Sequence, residues 1–487
     1  PAIGLSVPAW LSDYSNSMII KGNGNFVRWM HVTPWKQDVE SSDRVGLIQV
    51  MPAGDSEKDV FDHRWEQRKQ LMRDAIIYNK NNPSILFYEC GNESISEEHM
   101  AEMKSIRDKY DPKGGRSIGS REMLDIDIAE WGGEMLYINK SAKHPMFATE
   151  YCRDEGLRKY WDSYSFPYHR EGAGPLHRGA DASIYNHNQD MFAVELIRRW
   201  FDYYEARPGT GTRVSSGGAK IIFSDSNTHF RGEENYRRSG VTDPMRIPKD
   251  AYFTHEVMWD GWVDLDNYHT HIIGHWNYPH NGTKDRSTVK DIYVVSAAPV
   301  VKLFLNDKSI GEAVKTHQFL NTFKDITYEP GTLVAISYDE NGKELSNDKL
   351  ETVGNPVAIR MQAITSPNGM LADGADLALI EVEVVDSEGR RCPLNNDVIN
   401  FEIDGPAEWR GGIAQGPDNF ILSKRLPVEC GVNRVLVRST TQSGKITVKA
   451  SSGILTPATI QIETTPITVN SGLGELFPGN NLPSYLE

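Results

Sequence analysis

The sequence predicts a multidomain chain: a (β/α)8 TIM barrel that lacks its first strand, followed by two immunoglobulin-like β-sandwich domains. Three observations carry this expectation. Residues 1–265 alternate short apolar runs with amphipathic stretches, the texture of a parallel sheet covered by helices. From about residue 266 helical periodicity stops, and short alternating segments separated by turn residues take over. A second unit of this kind, about 110 residues long, begins near Pro356 and suits an immunoglobulin-like sandwich. The expected domains are therefore 1–265, 266–355 and 356–465, with a Gly-, Pro- and Asn-rich tail over 466–487.

In the first domain, strands are expected at 24–31, 45–52, 84–93, 116–119, 127–131, 146–150 and 220–224. Helices are expected over 62–79, where Trp65, Met72, Ala75, Ile76 and Tyr78 fall near helical spacing, and over 96–109 and 155–164. That count is seven strands, whereas a closed barrel of this class has eight. The eighth is expected upstream of Pro1, as is any signal peptide; an open seven-stranded sheet is the alternative. In the β units, strands are expected at 291–296, 300–305 and 332–338, then at 357–363, 378–386, 398–403, 434–439 and 444–450.

Composition narrows the function. Of 487 residues, 39% are hydrophobic and 10% aromatic, enough for a core in every domain. Net charge is −15 with no basic block, which argues against nucleic acid as a partner. No run of eighteen apolar residues is present, so no membrane insertion by a helix is expected. Four cysteines do not make a disulfide scaffold; Cys90 and Cys152 read as packing residues, and Cys392 and Cys430 are the one pair that could join within a β domain. No metal or cofactor motif is found.

Two glutamates dominate the chemistry. Glu93 closes the run 84–93 and Glu150 closes the run 144–150, each after an apolar stretch opened by a Pro-containing turn. A carboxylate where a barrel strand emerges is a catalytic position. Two on different strands are what glycoside hydrolysis uses, one to protonate the leaving oxygen and one to attack or to activate water. Glu130, Glu134 and Glu155 compete with Glu150 for the second place.

The run Asn82-Pro83-Ser84-Ile85-Leu86-Phe87-Tyr88-Glu89-Cys90-Gly91-Asn92-Glu93 resembles the acid/base signature of glycoside hydrolase family 2. Residues 25–31 are similar to that family's second strand, 145–151 to its nucleophile strand, and 248–259 to its closing helix. Residues 275–278, 301–311 and 372–377 are similar to its C-terminal sandwiches. The resemblance implies Glu93 as general acid/base and Glu150 as nucleophile. It also implies Asn92 as a partner of the sugar 2-hydroxyl, Arg28 as the cation that orients Glu150, and His31 as a hydroxyl ligand. Trp131 is expected to shape the pocket. Where the family ends its last strand with Trp, this sequence offers Phe223 and Asp225. Asn235-Tyr236-Arg237 is similar to an Asn-x-Lys that reads uronic acids, so Asn235 and Arg237 are candidate contacts to an anionic sugar.

The first functional reading is a retaining exo-acting β-galactosidase acting on an oligosaccharide or polysaccharide, by double displacement, without a cofactor. The alternatives are a β-glucuronidase or related uronidase, and a non-catalytic carbohydrate-binding protein. A periplasmic or secreted location and bacterial polysaccharide degradation go with the resemblance, and self-association into a homo-oligomer is left open.

Overall fold

The computed structural model describes residues 7–53, 58–134, 144, 146–152, 154–156, 158, 160, 187–206, 215–226, 237–264, 266–278, 288–413 and 419–467. They group into two compact units. One holds the described residues of 11–153 and 198–223; the other holds those of 7–10, 154–197 and 224–467.

The first unit is built on seven parallel strands in sequential order: β1 (Phe26–Arg28), β2 (Ile48–Pro52), β3 (Ile85–Glu89), β4 (Ser117–Arg121), β5 (Trp131–Glu134), β6 (Met146–Tyr151) and β7 (Ser215–Lys220). Every neighbouring pair is parallel. The outer two, β1 and β7, come within 8 Å at Cα, so the sheet curls almost onto itself. Helix α1 (Ala9–Lys21), from Leu11 onward, and helices α2 (Lys36–Val45), α3 (Asp62–Asn79) and α4 (Glu97–Tyr110) belong to the same unit. Helix α5 (Gln189–Phe201) follows β6, and α6 (Asp250–Val263) groups with the second unit.

Local chemistry explains the boundaries. Helix α2 stops at Gly46, whose φ of 80° is left-handed and lets Gly46 and Leu47 amides both reach Ser42 O at 3.0 Å. Helix α4 starts at Ser96, whose hydroxyl accepts from the His99 amide at 3.3 Å, with Glu97 and Glu98 on the positive end of the dipole.

Three expectations need correction. The strand expected at 127–131 lies at β5, because Gly132 and Gly133 allow close packing; a Cβ on Gly133 would stand 2.6 Å from Thr149 Cγ2. The strand expected at 220–224 ends at Lys220 and begins at Ser215, in a small-residue run where Gly218 passes so close to β6 that a Cβ would sit 2.7 Å from that of Ala148. Glycine is depleted from strands in general, which hid both. The helix expected over 155–164 does not form at its described residues, where Gly156 instead bridges to His187.

Inside the curled sheet, alternation sets two layers. Phe26, Phe87, Trp131 and Phe147 pack together, with ring centroids 4.8 Å apart for Phe26–Phe147 and 4.9 Å for Phe87–Trp131. Gly119 makes room for Trp131; a Cβ there would lie 2.1 Å from its carbonyl oxygen. Two residues further along β1, β3 and β4, on the same strand faces as Phe26, Phe87 and Gly119, come Arg28, Glu89 and Arg121. An aromatic layer thus floors a charged one at the carboxyl ends of the strands.

The second unit holds two pairs of sheets, antiparallel throughout except for one parallel edge pairing of Met370–Ala372 with the strand Ala458–Pro466. The first pair has four strands in each sheet and closes over Ile292, Val294, Leu303, Phe323 and Leu333. The second has four and five strands around Ile380, Val437, Phe401 and Val448. All the sandwich strands expected from sequence appear within two residues of their expected ends. Cys392 and Cys430 are both free, so the pairing left open above does not occur. No helix among the described residues is long and apolar enough to cross a membrane.

One partly buried histidine in this unit makes stability depend on pH. His271 Nε2 lies 3.1 Å from Asp250 and Nδ1 lies 3.4 Å from Asp348. Burial disfavours its cation, but the two carboxylates outweigh this and raise its pKa from 6.5 to about 9. A raised folded pKa means that the stabilisation is complete below the unfolded value and vanishes as pH climbs through the folded one. Stability against urea is therefore expected to fall between about pH 6.5 and about pH 9, and His271→Asn to flatten that decline. An unchanged slope in the variant would rule out this origin.

Candidate active site

Arg28 is the hub. Its Nε donates to both oxygens of Glu89 at 3.0 Å, and Nη2 donates to Glu89 Oε1 at 2.5 Å. The remaining donors reach across the sheet: Nη2 to Asn92 Oδ1 at 2.7 Å and Nη1 to Glu150 Oε1 at 3.2 Å. Arg28, Glu89, Asn92 and Glu150 are all buried. Burial pushes Glu89 above the usual carboxylate range, with Arg28 pulling the other way. Burial likewise opposes the Arg28 cation, but Glu89 and Glu150 together raise its pKa above the ordinary arginine value. A buried ion pair seldom stabilises a fold on balance, so a cluster like this points to function.

Glu150 sits in β6, a strand flanked by β5 on one side and β7 on the other. Its Oε1 lies 3.7 Å from His31 Nε2 and 3.8 Å from Arg121 Nη1. Arg121 ends β4, and its Nη2 forms an ion pair with Glu93 Oε1 at 2.9 Å. One guanidinium therefore faces both glutamates singled out from sequence. The charges run as an alternating ladder: Glu93, Arg121, Glu150, Arg28, Glu89. Three carboxylates oppose two guanidinium groups, so one proton would bring the ladder to neutrality.

The structure brings Arg28, His31, Asn92, Glu93 and Glu150 together as the sequence suggested. It treats the other candidates differently. Trp131 is buried in the aromatic floor, with its Nε1 donating to Tyr88 O at 3.1 Å. Phe223 is half-buried, beyond the end of β7. Asp225 belongs to the second unit, where its carboxylate accepts from Lys249 Nζ and the Gly240 amide, both at 2.9 Å; burial pushes its pKa up to about 7. Arg237, in the same unit, is buried and donates to Ser239 Oγ at 2.6 Å. Asn235 lies outside the described residues. Of the competing acids, Glu130 is taken by Arg107 at 2.6 Å and falls to about 2, with the Arg107 hydrogen bond as the main cause. Glu155 is buried in the second unit.

Sequence reasoning missed Glu89 and Arg121. The signal was present: each is a charge that closes a buried strand, as Arg28 is. Cys90, the neighbour of Glu89, is packed against Met100 Sδ at 3.1 Å, and burial pushes its thiol well up, in line with a packing role.

A parallel sheet that delivers two glutamates from different strands to its carboxyl end, beside an arginine-held asparagine, is the arrangement that two-carboxylate glycoside hydrolysis calls for. Comparisons with known proteins agree with it. Residues 361–461 match the model of the glycoside hydrolase family 2 C-terminal domain 5, and residues 287–346 match a domain of unknown function, DUF4982. The chain is 34% identical over 487 residues to a beta-glucuronidase of Formosa agariphila, covering 98% of this chain and 47% of that relative. Over 180 residues it is 32% identical to beta-galactosidase BoGH2A of Bacteroides ovatus, covering 37% of this chain and 19% of that relative. A solved structure of a beta-glucuronidase from glycoside hydrolase family 2 superposes with a TM-score of 0.83 at 32% identity, covering 98% of this chain and 49% of that one. The chain belongs to glycoside hydrolase family 2. It spans about half the length of the glucuronidases it matches.

Proposed function

We propose that this chain carries the catalytic centre of a retaining, exo-acting β-glycosidase, and that the sugar it removes is a uronic acid. The observation that carries the first part is the shared arginine: Arg121 faces both Glu93 and Glu150, at 2.9 and 3.8 Å. Retention needs the two carboxyl groups about 5–5.5 Å apart, on either side of the scissile bond. Glu93 protonates the leaving oxygen as Glu150 attacks the anomeric carbon. Glu93 then takes a proton from water, which releases the sugar from Glu150. Asn92, aimed by Arg28, supports the sugar 2-hydroxyl. The seven strands among the described residues fit a (β/α)8 barrel, and the two sheet pairs fit immunoglobulin-like domains over 266–355 and 356–465.

The galactosidase reading of the sequence gives way to its alternative. Relatives that are 34% and 32% identical along 98% of the chain are named beta-glucuronidase, whereas a beta-galactosidase aligned over 88% of it is only 23% identical and BoGH2A aligns over 37%. The substrate class is an oligosaccharide or polysaccharide ending in a β-linked uronic acid. Initial rates on 4-nitrophenyl β-D-glucuronide and β-D-galactoside test this. Faster turnover of the glucuronide is expected; faster turnover of the galactoside would restore the first reading. Binding of oligosaccharide with no turnover of either would leave a carbohydrate-binding protein.

A further inference from the structure

Glu93 and Glu150 are held by unlike means. Glu150 is an interior residue of β6 and its side chain is 6% exposed. Glu93 lies four residues past the end of β3, its side chain is 25% exposed, and Ser94 after it takes a left-handed φ of 57°. Among the described residues, its backbone pairs through an isolated bridge to Lys58. A carboxyl on such a turn needs an external anchor to deliver a proton along one line, because displacements near 1 Å cost about 10²-fold in rate.

That anchor is the end of β4. Four consecutive residues grip the turn in register. Gly119 O accepts from the Cys90 amide at 3.0 Å, and Ser120 Oγ donates to Gly91 O at 2.5 Å. Arg121 pairs with Glu93 at 2.9 Å, and Glu122 Oε2 accepts from the Ser94 amide at 3.1 Å. Three of these hold main chain. Arg121 alone holds the reacting side chain. Its other carboxylates are looser, with Glu150 at 3.8 Å and Glu122 at 3.9 Å.

We propose that Arg121 is the positioning residue of the acid/base Glu93, as Arg28 with Glu89 is for Glu150 and Asn92. The two buried arginines divide the labour: Arg121 acts on leaving-group protonation, and the Glu89–Arg28 pair on nucleophilic attack. This rests on the glycosidase reading above.

Leaving-group dependence separates the two roles. Phenyl β-D-glucuronide needs its leaving oxygen protonated; the 2,4-dinitrophenyl glycoside does not. The ratio of kcat/KM for the two is independent of how much of a variant is folded, so a merely structural loss leaves it unmoved. In Arg121→Gln the ratio of dinitrophenyl to phenyl rates is expected to rise about 10- to 10²-fold, a share of the 10²–10⁴ that general acid catalysis supplies. Arg121→Lys is expected to recover part of the wild-type ratio, since a lysine keeps the charge but not the fork. Glu89→Gln is expected to lower both rates together. An unchanged ratio in Arg121→Gln, with wild type active, overturns the proposal. Wild type inactive on both glucuronides and on the matching galactosides removes the glycosidase reading itself and the proposal with it.

Discussion

Replacing Glu150 with Gln is expected to lower kcat by on the order of 10⁵-fold, the scale on which removal of a catalytic nucleophile registers. The geometry explains the size. Glu150 is the carboxylate that Arg28, His31 and Arg121 all face, at 3.2, 3.7 and 3.8 Å. An amide keeps the shape but cannot form the glycosyl ester. Shortening it to Gly opens a space in front of the anomeric carbon. Azide is then expected to restore turnover and to yield a glycosyl azide of inverted anomeric configuration. Recovery of the β-azide would assign Glu150 to the acid role, and a Gln variant with near-normal turnover would remove it from the chemistry.

Glu93→Gln is expected to have the next largest effect, about 10²- to 10⁴-fold on kcat/KM for phenyl glycosides and little for dinitrophenyl glycosides. The difference follows from its place in double displacement, where it supplies a proton only to leaving groups that need one. With a dinitrophenyl substrate the slow step becomes release from Glu150, so a burst of dinitrophenol should precede a slow steady state. Azide is expected to speed that release and to give the β-configured product. An equal loss on both substrates, without a burst, would show that Glu93 binds sugar instead of moving protons.

Much of this site could be read from the chain because its elements are local. Pro83 and the apolar run after it set β3, and Glu93 follows at a distance that any strand emerging from a barrel would give. The same holds for Arg28 on β1 and Glu150 on β6. Trp131 went astray because an aromatic beside Glu130 looks alike whether it lines a pocket or fills a floor. Its fate is set by Gly119 on the neighbouring strand, which vacates the space it occupies. Asp225 and Arg237 lie near the last strand in sequence, yet they find their partners in Lys249 and Ser239. Strand β7 was misplaced because its glycines serve close approach to β6, a demand made by another segment.

By itself, then, the sequence determined the order of the strands, the strands of the two sandwich units and two glutamates of the charged cluster, since each depends on periodicity or on a motif within about a dozen residues. Tertiary structure alone decided that Glu89 and Arg121 complete the charged ladder. A charge at a strand end becomes a catalytic neighbour or a surface residue according to which strands flank it and in what register, and that is settled by contacts between segments far apart in the chain: Arg28 with Glu89 across 61 residues and with Glu150 across 122.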